Sequence, residues 1–294
     1  MSGEKSGYAV IITLTLISFA WGVNYVVIKN VYQGISPMSY CGSRFLVAGI
    51  VLMALARRYD KKAFIDAKDF SGNFTAAFLC FGISNLLMAV ALDHLSASYT
   101  SIILATAPVF GIFLAPLFGI DRFSAKKAAA IIISMAGIYL IVNSKHSSAA
   151  AHGGDAFGVV ICFLSAVTWS MYSIFSKPLM KKYSPLKLAA NAVFMAAIFM
   201  IPFTIREVAL TKWPELPFFV YASFFFSVVF SSVIPLVYWN RCIDRAGPVT
   251  VMTFQNMVPV FSLVCAFVFL GETVLPSQLL GASVVVCAIL MGNL

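Results

Sequence analysis

The sequence predicts an all-α integral membrane protein of ten transmembrane helices, arranged as two inverted five-helix repeats. Three observations predict it. Charge is scarce, ten apolar stretches are joined by loops that alternate between basic and nearly free of basic residues, and one set of landmark residues recurs in order halfway along the chain.

Charge comes first. Of the 294 residues, 61% are hydrophobic and 11% charged, and the mean hydropathy is +0.94. A soluble domain carries about 25% charged residues. So few charges cannot cover a water-exposed surface, so lipid must take the place of water. The net charge of +9 does not point to nucleic acid. Its lysines and arginines stand in short runs between apolar segments, as topology signals do, instead of lining a polar, aromatic-studded surface. The six cysteines lie in or beside apolar segments without CxxC spacing, and read as buried thiols rather than disulfides or metal ligands. No cofactor, metal or catalytic group is expected. The absence of P-loop, HExxH and GxSxG patterns argues against ATP-driven transport within this chain and against intramembrane proteolysis.

A span needs roughly 20 mostly apolar residues. The candidates run over 8–28, 37–56, 73–92, 97–118, 127–143, 156–176, 187–205, 217–239, 247–270 and 277–293. The first is too long in its apolar core for a signal peptide and lacks a small-residue cleavage site. Ten spans place fifteen basic residues on one face, from Lys5, Arg57 and Arg58 through Lys126 and Lys127 to Arg241 and Arg245. The other face receives four: Lys29, Lys145, Arg206 and Lys212. The positive-inside rule assigns the rich face, with both termini, to the cytoplasm, and the chain to the inner (plasma) membrane.

The repeat is read by offset. Shifting by 148 residues places Trp21 on Trp169, Lys29 on Lys177 and Ser36-Pro37 on Ser184-Pro185. Shifting by 151 places Asp93 on Asp244, Pro108-Val109-Phe110 on Pro259-Val260-Phe261 and Asp121 against Glu272. The units are expected at 1–147 and 148–294. Five spans each is an odd number, so the second unit enters the membrane inverted, as in many secondary transporters.

The segments Phe19-Ala20-Trp21-Gly22-Val23-Asn24-Tyr25, Arg44-Phe45-Leu46 and Ala91-Leu92 with Ser96-Ala97-Ser98 carry a resemblance, as does Pro108-Val109-Phe110 leading to Asp121. The second half adds Pro259-Val260-Phe261 and Leu270-Gly271-Glu272. Over nearly its whole length the chain resembles EamA-type transporters of the drug/metabolite transporter superfamily. The resemblance implies the ten-helix fold and export of amino acids, metabolites or drugs. Two departures stand out: Asp121 replaces the usual Glu, and Trp169-Ser170-Met171-Tyr172 lacks the Gly-x-Asn of the first span.

Candidate cavity residues follow, each beside a structural alternative. Trp21 and Asn24 share a helix face, as cavity wall and polar contact or as inter-helix glue. Arg44 sits about seven residues inside the second span beside Tyr40. An intramembrane charge costs roughly 2.5–3.5 kcal/mol on insertion scales, and no carboxylate lies at its depth. It either holds a substrate carboxylate, snorkels to the interface or bonds helix-end carbonyls. Asn85 and Met88 share a face of the third span, and Thr106 precedes the kinking Pro108. Pro259 likewise follows Gln255 and Asn256, two adjacent amides expected as polar lining. Trp169, Tyr172 and Ser173 share a face and form either an opposite wall or packed core. Tyr238 and Trp239 read as interfacial anchors. Asp121 and Glu272 read as partners of the following helix dipole, Ala130 and Ser134 as a close-packing pair, and His94, His146 and His152 as solvated.

The expectation is a secondary carrier working by alternating access on small amphipathic solutes such as amino acids, most simply as an exporter. Its partners are a small-molecule substrate and the lipid bilayer, without nucleic acid, and it acts as a homodimer or a monomer. The competing classes are a membrane enzyme acting on lipids, for which no nucleophile, base or metal cluster is found, and a non-transporting sensor or assembly partner.

Overall fold

The computed structural model describes residues 2–60, 62–70, 72–95, 100, 103–143, 156–270 and 275–293, and among these it consists of helices joined by turns, with no strand. The expected unit boundary at 147/148, His146, His152, Glu272 and the Ser96-Ala97-Ser98 turn lie outside the described residues.

The helices are α1 (Ser2–Val31), α2 (Pro37–Tyr59), α3 (Asn73–His94), α4 (Ala107–Leu117), α5 (Ala125–Asn143), α6 (Ala156–Leu179), α7 (Pro185–Leu210), α8 (Phe218–Ala246), α9 (Pro248–Thr253, continuing as Met257–Leu270) and α10 (Pro276–Asn293). Seven of them are long and apolar enough to cross a bilayer by length and composition, and α4, α5 and α10 stand where the remaining spans were expected. Large apolar side chains such as Phe113, Ile132, Phe225 and Phe269 point outward and are exposed. Lipid is the medium that covers such a girdle.

Local sequence sets the ends alike in both halves. Ser36 caps α2 by accepting from the Ser39 N–H (3.2 Å), with Pro37 in the first turn. Ser184 caps α7 by accepting from the Lys187 N–H (3.1 Å), with Pro185 in the same place. Each serine hydroxyl also donates across the repeat boundary, Ser36 to Glu207 (3.2 Å) and Ser184 to Asp60 (3.0 Å). Proline suits the first turn because its missing N–H is not needed there.

Packing follows the repeat. α3 lies on α6 as α8 lies on α1, α4 lies on α6 as α9 lies on α1, and α2 with α7 and α5 with α10 pair with their own counterparts. Exchanging the halves maps this pattern onto itself, the geometry of two inverted five-helix repeats. Small residues permit the close crossings. A Cβ on Gly137 would meet the Gly281 carbonyl at 2.7 Å, and one on Gly292 would meet Ala130 Cβ at 2.6 Å.

Three spans are irregular, and proline explains each. α8 widens to a π-helix over Ser227–Val233, just before Pro235. α9 tightens to a 3₁₀ turn over Phe254–Asn256, before Pro259. The fourth span, expected to kink at Pro108, turns at residues 105–106 just ahead of it. A proline clashes with the carbonyl four residues earlier and offers it no N–H. The carbonyls so freed, of Leu104, Ser231 and Gln255, all belong to residues at the centre of the bundle.

Two expectations need correction here. Trp239 is no interfacial anchor: it is fully buried, while its neighbour Tyr238 is exposed. Five cysteines are buried and free, but Cys287 is exposed on α10.

Candidate functional site

A cavity of about 130 Å³ lies among α1, α2, α3, α6, α8, α9 and the start of the fourth span. At roughly 10–15 Å³ per water-sized sphere, that is room for a solute of on the order of ten non-hydrogen atoms. It extends from the bundle centre toward the face opposite the N-terminus, where Ile28, Leu92 and Thr100 line it.

Trp21 and Trp169 line its floor, and the buried Trp239 packs against both. Trp21 packs against Trp169 with ring centroids 5.9 Å apart and against Trp239 at 5.0 Å, and Trp169 meets Trp239 at 5.9 Å. Trp21 and Trp169 are counterparts under the 148-residue offset, so their contact marks the pseudo-two-fold axis. The Trp21 indole donates to the Ser231 carbonyl (2.9 Å), which Pro235 has deprived of its helical donor. Trp21 is thereby both wall and lock on the π-segment.

Polar groups ring the space. The Ser227 hydroxyl, at the start of the π-segment, donates to Asn24 Oδ1 (2.7 Å), so Asn24, which lines the cavity, also ties α1 to α8. Asn85 donates back to the Phe81 carbonyl (2.9 Å). Ser84 and Ser165 exchange hydroxyl-to-carbonyl bonds of 3.0 and 2.8 Å across α3 and α6. Four cavity-lining polar atoms are buried without a partner: Arg44 Nε, Thr100 Oγ1, Trp169 Nε1 and Gln255 Oε1. Buried polar atoms are normally satisfied, so this concentration marks a place where a ligand or water completes the set.

Arg44 is 5% exposed. One guanidinium nitrogen donates to the Tyr40 hydroxyl (3.0 Å), and the group lies 4.7 Å from the Tyr40 ring centroid and 4.2 Å from that of Phe45. Buried in this way, and bonded among the described residues to the Tyr40 hydroxyl and not to a helix-end carbonyl, it differs from the two structural alternatives read from the sequence.

Of the residues singled out from sequence, Trp21, Asn24, Arg44, Asn85, Met88, Trp169, Gln255 and Pro259 come together on the cavity wall. Five do not. Tyr172 is fully buried and donates to Asn240 Oδ1 (3.0 Å). Ser173 accepts from the Trp239 indole (3.2 Å). Thr106 bonds back to the Ile103 carbonyl (2.6 Å) within the break of the fourth span. Asn256 donates to Ser134 on α5, and Pro108 is buried in α4. The helical face shared by Trp169, Tyr172 and Ser173 is real, but only its first member reaches the open space. Asp121 is not bonded to the start of the following helix α5: one oxygen accepts from the Arg122 N–H (2.8 Å), and the other is buried beside Gly247, at the start of α9.

Phe81, Ser165, Ser231 and Val258 also line the cavity and were not anticipated. They are ordinary apolar or small residues in apolar spans. Only Ser231, four residues before Pro235, carried a signal in the sequence.

The face of the N-terminus is built differently. At the offset-related positions, Tyr172, Ser176, Ala192, Trp239 and Ile243 stand for Asn24, Ile28, Arg44, Met88 and Leu92, and all five are fully buried. Below them the α2–α3 connection clasps the α6–α7 connection. Asn191 donates to the Ala63 carbonyl (2.8 Å) and accepts from the Ile65 N–H (3.2 Å), while Lys182 and Tyr183 both bond Asp69. The Lys182 ammonium and then the Tyr183 hydroxyl hold the Asp69 carboxyl below the usual carboxylate range, and Asp69 in turn raises Lys182.

Comparison with known proteins gives a consistent family of matches. A model described as the EamA-like transporter family matches residues 8–143 and again 156–294. An uncharacterized transporter of Archaeoglobus fulgidus is 24% identical over 284 residues, covering 95% of this chain and 96% of its own. A probable terminal-alkyne amino-acid exporter of Streptantibioticus cattleyicolor is 26% identical over 200 residues, 68% of this chain and 65% of its own. The uncharacterized inner membrane transporter YedA of Escherichia coli is 24% identical over 279 residues, 93% and 87% of the two chains. A solved structure titled "Crystal structure of protein" superposes with a TM-score of 0.80 at 12% identity, over 97% of this chain and 96% of that one, a likeness of fold.

Proposed function

Because this chain belongs to the EamA-like transporter family, and is therefore a multi-pass membrane transporter, we propose that it is a secondary carrier moving small amphipathic metabolites, amino acids foremost, by alternating access. One observation carries the proposal: the cavity extends toward one face only, while the positions related by the repeat are packed shut on the other. Two copies of one half-structure, inverted, have two arrangements of similar energy. The arrangement seen here has the first half's residues open and the second half's closed; exchanging their roles would present the solute to the other side.

The wall chemistry suits the substrate class. Aromatic and aliphatic surfaces face an apolar side chain, and a few amides and hydroxyls face polar groups. The size matches an amino acid, and the relative from Streptantibioticus cattleyicolor is named as a probable amino-acid exporter. Export, with both termini in the cytoplasm, completes the reading. The basic side would then be the closed one, and solute would leave from the state seen here. Spans without a central carboxylate favour facilitated movement or exchange over a proton relay.

Flux of radiolabelled leucine and phenylalanine in proteoliposomes tests the proposal. Trp21→Ala and Asn24→Ala are expected to lower it about ten-fold or more while the protein stays monodisperse. Unchanged flux in both variants would remove these residues from the path. Labelling that set Lys68 and Lys181 on different faces would overturn the topology.

A further inference from the structure

We infer that Arg44 is an anion subsite of the cavity and that the transported solute carries a carboxylate received by its guanidinium. The inference rests on the transport reading above and narrows it to a substrate class.

Arg44 is the only charged side chain among the described residues lining the cavity. It stands seven residues beyond Pro37, about 10 Å along α2 from its start. Among the described residues it forms no ion pair, although arginine inside a membrane is ordinarily matched by an acid or a set of carbonyls. Two ring faces and one hydroxyl hold it instead. These contacts fix the group without neutralising it. A guanidinium has five N–H donors in one plane. One nitrogen is occupied by Tyr40, and Nε is buried with no partner at all.

Tyr40 is itself immobilised, 2% exposed and packed edge-on against Tyr32 (5.7 Å) and Phe224 (6.2 Å). It therefore acts as a positioning residue for the guanidinium. An acid supplied by the protein would fill this fork; none among the described residues does, which leaves the fork to the solute.

The charge balance selects the anion. A single guanidinium neutralises one negative charge, and a carboxylate matches its fork with two parallel hydrogen bonds. A phosphate dianion would bring a second charge into a cavity with no second cation among its described lining residues. The neighbouring free groups are neutral: the Thr100 hydroxyl, the Trp169 indole and the Gln255 carbonyl. They serve the rest of a polar solute, while Phe81, Met88 and Val258 face its apolar part.

The test pairs acids with their amides on the purified full-length chain. Leucine and phenylalanine are compared with leucinamide and phenylalaninamide, and with 3-phenylpropionate, which keeps the carboxylate and lacks the amine. Thermal shift reads binding and proteoliposome flux reads transport. In the wild type, the acids are expected to stabilise and to move at least ten-fold better than the amides. Arg44→Gln should abolish that preference, and Arg44→Lys, which keeps the charge but loses the fork, should restore part of it. If wild type takes amides as well as acids, or Arg44→Gln lowers both equally, the subsite is overturned while transport stands. If acids bind through Arg44 and none crosses, the transport reading falls and the subsite stands. If no compound binds or moves, both fall. Should Arg44→Gln fail to fold, the wild-type contrast between acid and amide decides alone.

Discussion

The segments Trp21-Gly22-Val23-Asn24 of α1 and Trp169-Ser170-Met171-Tyr172 of α6 hold equivalent places in the two halves, yet they meet opposite surroundings. The tryptophans face one another on the pseudo-axis. One step on, Gly22 admits the α9 backbone: a Cβ there would lie 2.6 Å from Phe261 Cβ and 2.9 Å from the Ser262 nitrogen. Ser170 instead reaches out to donate to the Ala107 carbonyl of α4 (2.6 Å). Asn24 borders open space, whereas Tyr172 is sealed beneath Trp169 and Phe81 with its hydroxyl on Asn240. The difference teaches how an inverted pair works in one chain. At this position the repeated frame carries a small polar residue where the bundle is open and a large aromatic where it is shut.

The contrast is sharpest at Trp239 and Met88, counterparts under the 151-residue offset. Trp239 is fully enclosed and Met88 lines the cavity. Trp239→Ala is expected to cost about 3–5 kcal/mol of stability, as large-to-small changes in packed cores do. Met88→Ala should cost less than half of that, because one side of Met88 already faces space. Unfolding in detergent measures both, and equal losses would break the comparison.

A second pair sits one turn away. Gly22→Val is expected to cost about 1–3 kcal/mol through overpacking against α9. Ser170→Ala, which loses one hydrogen bond, should cost about 0.5–1.5 kcal/mol. Should Ser170→Ala prove the more damaging, the close approach of α9 to α1 would not be the constraint at this position.

The smallest effect concerns the clasp under the closed side. Asp69 has a carboxyl held below its ordinary range, so it favours the folded state above that range and stops doing so as pH falls through its lowered value. Lys182 is shifted up, and its share is lost only as pH rises through its raised value. The melting temperature should therefore hold across neutral pH and fall slightly on acidification. Asp69→Asn is expected to lower it at neutral pH and to flatten the acid limb, as melts at a series of pH values would read. An acid limb unchanged in Asp69→Asn would dismiss the clasp as a contributor.

Much of this molecule was written locally. Transfer of apolar side chains into lipid is a property of each stretch, so the spans could be read without knowing their neighbours. Ser36-Pro37 and Ser184-Pro185 cap helices by contacts within four residues, and Pro108, Pro235 and Pro259 break their helices through the carbonyl four residues back. The repeat followed from counting offsets, and with it the equivalence of Trp21 and Trp169.

Which member of each equivalent pair would face the cavity was beyond local reading. Helical periodicity put Trp169, Tyr172 and Ser173 on one face, but only packing decided that the last two are buried, Tyr172 against Phe81 with its hydroxyl on Asn240 and Ser173 on the Trp239 indole. The amides of Gln255 and Asn256 are adjacent in sequence and part company because α5 presents Ser134 to one of them. Arg44 was legible as an oddity, and its unmatched charge became evident only when every surrounding helix was in place. The sequence by itself determined the spans, their breaks and the duplicated plan, because those depend on short-range sterics and on solvent transfer. Tertiary structure alone decided which of the two related sides is open, because two inverted copies cannot both hold the cavity at once.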